Sequence, residues 1–305
     1  MRQRTHQSSL ALRAFAACLI GALALGACGD KRHQSGDADA AEVTPPVRDT
    51  AGGATAPSVV VAGPASFAQA RTAFKDRRYD EAVRLFTLYT GEHPDSVSGY
   101  YMLGLAAWKA GDRVTAVNAF QLALEKDSTH VKSHLNLARV LIEQGQVAAA
   151  RPHVDAVLER DSTSPDGYRL LGRVKGVQGD TAGAITAYQR AIVLDSADAW
   201  SLNNLARLYS GQGRFVDAIG PLARAIAIDS TVATFQNNLG MVLERTGHIT
   251  QATEAYRAAL ALDSTSRKVS VNLTRVSGLK QDPALTPVDL GGAARGFVEQ
   301  VKSWR

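Results

Sequence analysis

Residues 165–198 read PDGYRLLGRVKGVQGDTAGAITAYQRAIVLDSAD, and residues 199–232 read AWSLNNLARLYSGQGRFVDAIGPLARAIAIDSTV. Aligned without a gap, the strings match at structurally demanding places: Leu171 with Leu205, Gly172 with Ala206, Gly179 with Gly213, Ala184 with Ala218, Tyr188 with Leu222 and Asp195 with Asp229. The register extends both ways without insertion, giving six units of 34 residues that begin at 63, 97, 131, 165, 199 and 233. Position 20 is alanine in all six units (Ala82, Ala116, Ala150, Ala184, Ala218, Ala252), and position 15 is glycine in five (Gly111, Gly145, Gly179, Gly213, Gly247). Position 8 is Ala70, Gly104, Ala138, Gly172, Ala206 and Gly240, and position 24 is large and apolar (Phe86, Phe120, Val154, Tyr188, Leu222, Tyr256).

These spacings predict an all-α fold. Positions 4, 7, 8 and 11 form one helical stripe, and positions 20, 24, 27 and 28 form a second. Glycine between them lets the chain reverse, and small residues at positions 8 and 20 let the two helices cross closely. Neither helix can bury its stripe alone, so the hairpins must stack into a solenoid. Pro152 and Pro221 fall inside the second helix of their units, where a kink or a late start is expected. Asp127, Asp161, Asp195, Asp229 and Asp263 share position 31, each followed by serine. They read as helix-terminating and N-cap residues, with a metal-binding ladder as a remote alternative.

The pattern resembles the tetratricopeptide repeat family over residues 63–266. That resemblance implies a right-handed α-solenoid of six helix-turn-helix units (63–96, 97–130, 131–164, 165–198, 199–232, 233–266) whose first helices line a concave groove. The family's proline at position 32 survives only as Pro94, and Arg77 stands where glycine is usual, so the first unit departs most. Residues 267–280 continue the first-helix pattern, with Leu273 at position 7, and supply the capping helix an open solenoid end needs. Residues 281–305 form a tail in which Ala293 to Trp304 is expected to make a short helix that uses Phe297, Val301 and Trp304 either to fold back on the solenoid or to bind something else.

Upstream of the repeats, Arg2, Arg4 and Arg13 precede an apolar run of 14 residues at 14–27. That is a signal-peptide pattern, too short to span a bilayer. Leu25-Gly26-Ala27-Cys28 resembles the lipobox of bacterial lipoproteins, which implies removal of residues 1–27 and lipidation of Cys28. The competing reading is ordinary cleavage after Ala27. Two or more acyl chains would hold the protein stably to a membrane. Residues 28–62 read as the lipidated cysteine and a flexible tether with a reach of about 30 Å. Gly29 rather than aspartate after the cysteine favours the outer membrane, facing the periplasm. Loss of the three leader arginines lowers the net charge from +5 to +2, so nucleic acid is not an expected partner. Cys18 and Cys28 are the only cysteines, which excludes a disulfide framework.

Catalytic and cofactor signatures are missing: there is no Gly-x-Ser-x-Gly elbow, no P-loop and no His-Glu-x-x-His helix. His130 and His134 read as packing or capping groups rather than metal ligands, since no third ligand lies nearby in sequence. With no enzyme, cofactor or metal indicated, the groove is the candidate site. In the resembled family, positions 2, 5, 9, 12 and 13 point inward. They hold nine bases (Arg71, Lys75, Lys109, Lys132, Arg139, Arg169, Arg173, Arg207, Arg245) and three acids (Glu143, Asp166, Glu244). Arginine recurs at position 9 (Arg71, Arg139, Arg173, Arg207 and Arg275), and asparagine at position 6 (Asn136, Asn204, Asn238, Asn272). The pair offers a peptide an amide for its main chain and a guanidinium for its carboxylates. Alternatively, the asparagines are family-typical and the arginines pair with acids of neighbouring repeats. Phe67, Phe74, Tyr101 and Trp108 occupy inward positions of the first two units, as an aromatic anchor or as packing.

The expected function is that of a membrane-anchored scaffold binding a peptide segment of another cell-envelope protein. The architecture is similar to type IV pilus pilotins and to peptidoglycan-hydrolase adaptors. The alternative is a homo-oligomeric spacer whose groove is filled by its own or a neighbour's C-terminal tail.

Overall fold

The computed structural model describes residues 66–304. The leader expected over 1–27, Cys28 and the tether over 28–62 lie outside the described residues. First helices of the six units are α1 (Phe67–Lys75), α3 (Val97–Ala110), α5 (Val131–Glu143), α7 (Pro165–Val177), α9 (Ala199–Gly211) and α11 (Ala233–Arg245). Second helices are α2 (Tyr79–Glu92), α4 (Arg113–Lys126), α6 (Val147–Arg160), α8 (Thr181–Leu194), α10 (Phe215–Ile228) and α12 (Ile249–Leu262). Two helices follow, α13 (Arg267–Ser277) and α14 (Leu290–Lys302). From α3 to α13 the first helices begin at intervals of 34 residues, as do all six second helices.

Glycine at position 15 adopts φ between 74° and 86° in five units, and Arg77 takes the same turn at φ 60°. A side chain there costs about 1–2 kcal/mol, because Cβ crowds the following carbonyl oxygen. Arg77→Gly is therefore expected to stabilise the chain by about 1 kcal/mol, read as a higher chemical-denaturation midpoint. Pro152 and Pro221 do not delay their helices: α6 and α10 start in register with their siblings and run the same 14 residues. Each loses one backbone hydrogen bond inside an element fixed on both sides by packing. The position-31 aspartates are also not N-caps. They are the C-cap residues of the second helices, and Asp127, Asp161, Asp229 and Asp263 accept from both the backbone N–H and the hydroxyl of the threonine two residues on. The N-cap falls three residues later, as at Ser96, Ser164 and Asp198.

In the second, fourth and sixth units, glycine at position 8 makes room for the ring at position 24; the first unit, with Ala70 and Phe86, does not follow that pairing. A Cβ on Gly104, Gly172 or Gly240 would lie 2.6–2.7 Å from Phe120, Tyr188 or Tyr256, respectively. Alanine at position 8 instead faces Val154 or Leu222 in the third and fifth units.

Each second helix packs on its own first helix and on the first helix of the next unit. Successive first helices also pack on one another, except across α7 and α9, whereas successive second helices do not pack closely. The stack is thus compressed along its first-helix side, which makes that side the inner one. Both ends are polar. At the start, Gln69 and Thr72 are exposed in the register where α3 buries Leu103 and Ala106; at the finish, Ser270, Thr274 and Ser277 are exposed on α13.

The tail does fold back, but its helix starts at Leu290 and the capping helix stops at Ser277. α14 buries Ala294, Phe297 and Val301 and packs on the second helices α10 and α8. The chain's own tail therefore lies on the outer side and does not fill the inner face. Among the described residues, no helix is long and apolar enough to cross a membrane.

Candidate functional site

The inner face begins with the register of α1 to α13, which brings positions 5, 6 and 9 of successive units alongside one another. The asparagines meet across helices and bond to each other. Asn272 Nδ2 donates to Asn237 Oδ1 (3.0 Å), Asn237 Nδ2 to Asn238 Oδ1 (3.3 Å), Asn238 Nδ2 to Asn203 Oδ1 (2.8 Å) and Asn203 Nδ2 to Asn204 Oδ1 (3.5 Å). This amide chain ties α13, α11 and α9 together, with Asn203, Asn204, Asn237 and Asn272 buried. Asn136 is likewise buried; it donates to the Lys132 carbonyl (2.9 Å) and accepts from Arg139 (3.1 Å). The expected main-chain clamp is corrected here: the amides of α9, α11 and α13 bond to one another, Asn136 bonds within its own helix, and only Asn238 is partly exposed. Asn203 and Asn237, adjacent to the position-6 ladder, are the residues that complete the chain.

The arginines divide. Arg275 grips Glu244 with Nε and Nη2, both at 2.8 Å, while Tyr256 Oη donates to the same carboxylate at 2.9 Å. The Arg275 hydrogen bond is the main reason the Glu244 carboxyl lies below the usual range. Arg139 stands 3.6 Å from Asp166 and over the Trp108 ring at 5.5 Å. Arg173 is buried in α7, so its guanidinium is not presented to a partner. Arg71 and Arg207 are exposed, together with Lys75, Lys132 and Arg245.

The balancing carboxylates are the buried members of their pairs. Side-chain exposure is 51% for Arg275 against 13% for Glu244, 40% for Arg113 against 8% for Glu143, and 16% for Arg169 against 2% for Asp198. Asp166, held by Arg169 and Arg139, is the exception at 47%. Neutralised pairs therefore still show solvent their cationic side.

The aromatics are packing residues. Phe67 meets Phe86 and Tyr89 edge-on, Phe74 meets Tyr79, and Tyr101 lies against Phe120 and His130. Trp108 is half-buried, donates to Glu143 at 3.0 Å and is flanked by Lys109. The inner face has another apolar spot that was not singled out in sequence: half-buried Trp200 at position 2 and exposed Met241 at position 9. Their inward positions were the signal.

His134 is buried, with Nε2 on the Ser128 carbonyl and Nδ1 on His153 Nδ1, both at 3.0 Å. Burial, then the neighbouring His134, pushes His153 below its ordinary 6.5, and burial lowers His130 as well. The unfolded chain thus takes up protons first, so stability is full above about pH 6.5 and is lost as pH falls toward the folded values. The melting midpoint should fall between about pH 7 and about pH 5. His153→Gln, which keeps a donor for His134, should reduce that fall; an unchanged slope would assign it elsewhere. Among the described residues, no group of three or more His, Cys, Asp or Glu is placed to hold a metal ion.

Family models described as tetratricopeptide repeat match residues 67–131, 107–174 and 203–267, and one described as TPR repeat matches 177–213. The chain belongs to the tetratricopeptide repeat family. No curated protein matches it. Among solved structures, tetratricopeptide repeats recur in TTC0263, a thermophilic TPR protein of Thermus thermophilus, at 18% identity and TM-score 0.54, over 60% of this chain and all of that one. A tetratricopeptide repeat protein of Parabacteroides merdae is 13% identical with TM-score 0.60, covering 69% and 82% of the two chains. The Cut9-Hcn1 hetero-tetramer of the APC/C matches at 18% and TM-score 0.63, over 68% of this chain and 41% of that chain. At these identities the likeness establishes the fold. Tetratricopeptide repeats are generally protein-binding scaffolds, and the inward positions of this one hold more bases than acids.

Proposed function

We propose that the chain is a membrane-anchored scaffold whose first-helix face binds an acidic segment of another cell-envelope protein. The observation carrying this reading is the set of exposed bases Arg71, Lys132, Arg207 and Arg245, beside the Arg275–Glu244 and Arg113–Glu143 pairs in which the carboxylate is buried and the guanidinium exposed. Such a face steers and orients a partner of opposite charge. Its role is recognition rather than reaction. Lipidated Cys28 would supply the anchor and residues 29–62 the reach, with the outer membrane facing the periplasm as the location. The position of α14 on the outer side weighs against the spacer alternative in which the chain's own tail plugs the groove.

A pull-down from solubilised envelope tests this with wild type and Arg71→Glu/Lys132→Glu/Arg245→Glu, three exposed positions on which the fold does not rest. Capture of the partner should fall about tenfold or more in the variant and weaken with salt in the wild type. Equal capture by a variant of unchanged helical content removes the cationic face as the binding site.

A further inference from the structure

Direct packing between successive first helices is least at the junction of the fourth and fifth units. Among the described residues, α7 and α9 are the one pair of successive first helices that do not pack closely. The buried apolar clusters part nearby, between α7 and α8 of the fourth unit: one runs from Ala107 to Val174, and the next, which joins α8 to α9, from Ala184 to Val301. What crosses the inner gap is polar. Arg169 reaches Asp198 at 2.9 Å, and the same carboxylate caps α9 through the Ser201 N–H (3.1 Å) and hydroxyl (2.6 Å). On the opposite side, α14 packs on α10 and reaches α8, second helices that otherwise do not pack closely.

We propose that α14 is a strut that holds α8 and α10 together across the outer side of this junction and thereby sets the curvature of the first-helix face between α7 and α9. In a stacked solenoid, the bend at a junction is the difference between inner and outer spacing, each fixed by nearest-neighbour contacts. Elsewhere first helices packed directly on one another set the inner spacing, with polar links such as Trp108–Glu143 and Asn238–Asn203 added to that contact. Here a long-stemmed ion pair spans it and can follow a change of separation that close-packed side chains resist. The outer contact is built to hold. Phe297 is buried over Gly220, where an added Cβ would lie 3.0 Å from Phe297 Cβ and 3.3 Å from the Ala293 carbonyl. Gln251 clamps the chain entering α14, donating to the Val288 carbonyl (2.9 Å) and accepting from its N–H (2.8 Å), while Gln281 accepts from the Thr250 N–H (3.1 Å). Any partner lying across both halves of the inner face is consequently coupled to docking of α14, a clause that rests on the proposed function; the strut itself does not.

The test needs no partner. In a Cys18→Ser/Cys28→Ser full chain, spin labels at Lys132→Cys and Arg245→Cys report the distance across the junction, and labels at Arg71→Cys and Lys132→Cys report a control distance within the first three units. Removing residues 287–305 should shorten the cross-junction distance by several ångström and broaden its distribution, with the control unchanged. Phe297→Ala/Trp304→Ala, with exchange of the 290–302 amides confirming release, repeats the test should the truncated chain not fold. An unchanged cross-junction distance after release of α14 overturns the proposal, as does an equal change in both pairs, which would mean general loosening.

Discussion

Gly172→Ala is expected to lower the unfolding free energy by about 1–3 kcal/mol, although alanine is the better helix former by about 1 kcal/mol. The added Cβ would stand 2.7 Å from Tyr188 Cε1 and 2.8 Å from Cζ, inside a core where both helices are held by neighbouring units. The tyrosine must leave its rotamer or α7 must lift from α8, and overpacking outweighs propensity. The fifth unit supplies the remedy, with Ala206 and Leu222 in the same register. Tyr188→Leu alone leaves space and costs about 2 kcal/mol, but the double variant should recover a coupling of about 1–2 kcal/mol in a chemical-denaturation cycle. Additive single effects would show that the two positions do not set each other's size.

Phe297→Ala should remove about 3 kcal/mol from the docking of α14 and much less from the repeats. Phe297 is the largest buried side chain of α14, and it meets Trp304 edge-on at 5.5 Å. Because α14 is appended to the stack, the loss cannot exceed the free energy of docking it. Once α14 lets go, the remaining solenoid no longer feels the substitution. Amide exchange should therefore rise steeply over 290–302 while the buried amides around Ala107–Val174 stay protected. Retained protection over 290–302 would show that Val301 and Trp304 hold the helix without it.

The helices and their register were legible because each unit repeats the same small set of local demands. Glycine at position 15 is needed for a left-handed turn, and small residues at position 8 for a crossing, so periodicity alone placed them. The prolines misled because propensity speaks of an isolated helix, whereas α6 and α10 are fixed by packing from both sides. The position-31 aspartates terminate the second helices as read but are not N-caps, because aspartate serves either end of a helix gap and only the backbone distinguishes a C-cap from an N-cap. At the candidate site, inward position was readable but hydrogen-bond partnership was not. Asn203 and Asn238 are 35 residues apart and bond only because α9 and α11 lie side by side.

The sequence by itself determined an all-α stack of six hairpins, which follows from a repeat of fixed length; the resemblance to the tetratricopeptide repeat family implied which positions face inward, and counting charges there gave the excess of bases. Tertiary structure decided which side chains the face still offers. It turned the asparagines of α9, α11 and α13 into cross-ties, buried Glu143 and Glu244 beneath Arg113 and Arg275, and placed α14 on the outer side. Each of those outcomes depends on distances between helices that no single unit encodes.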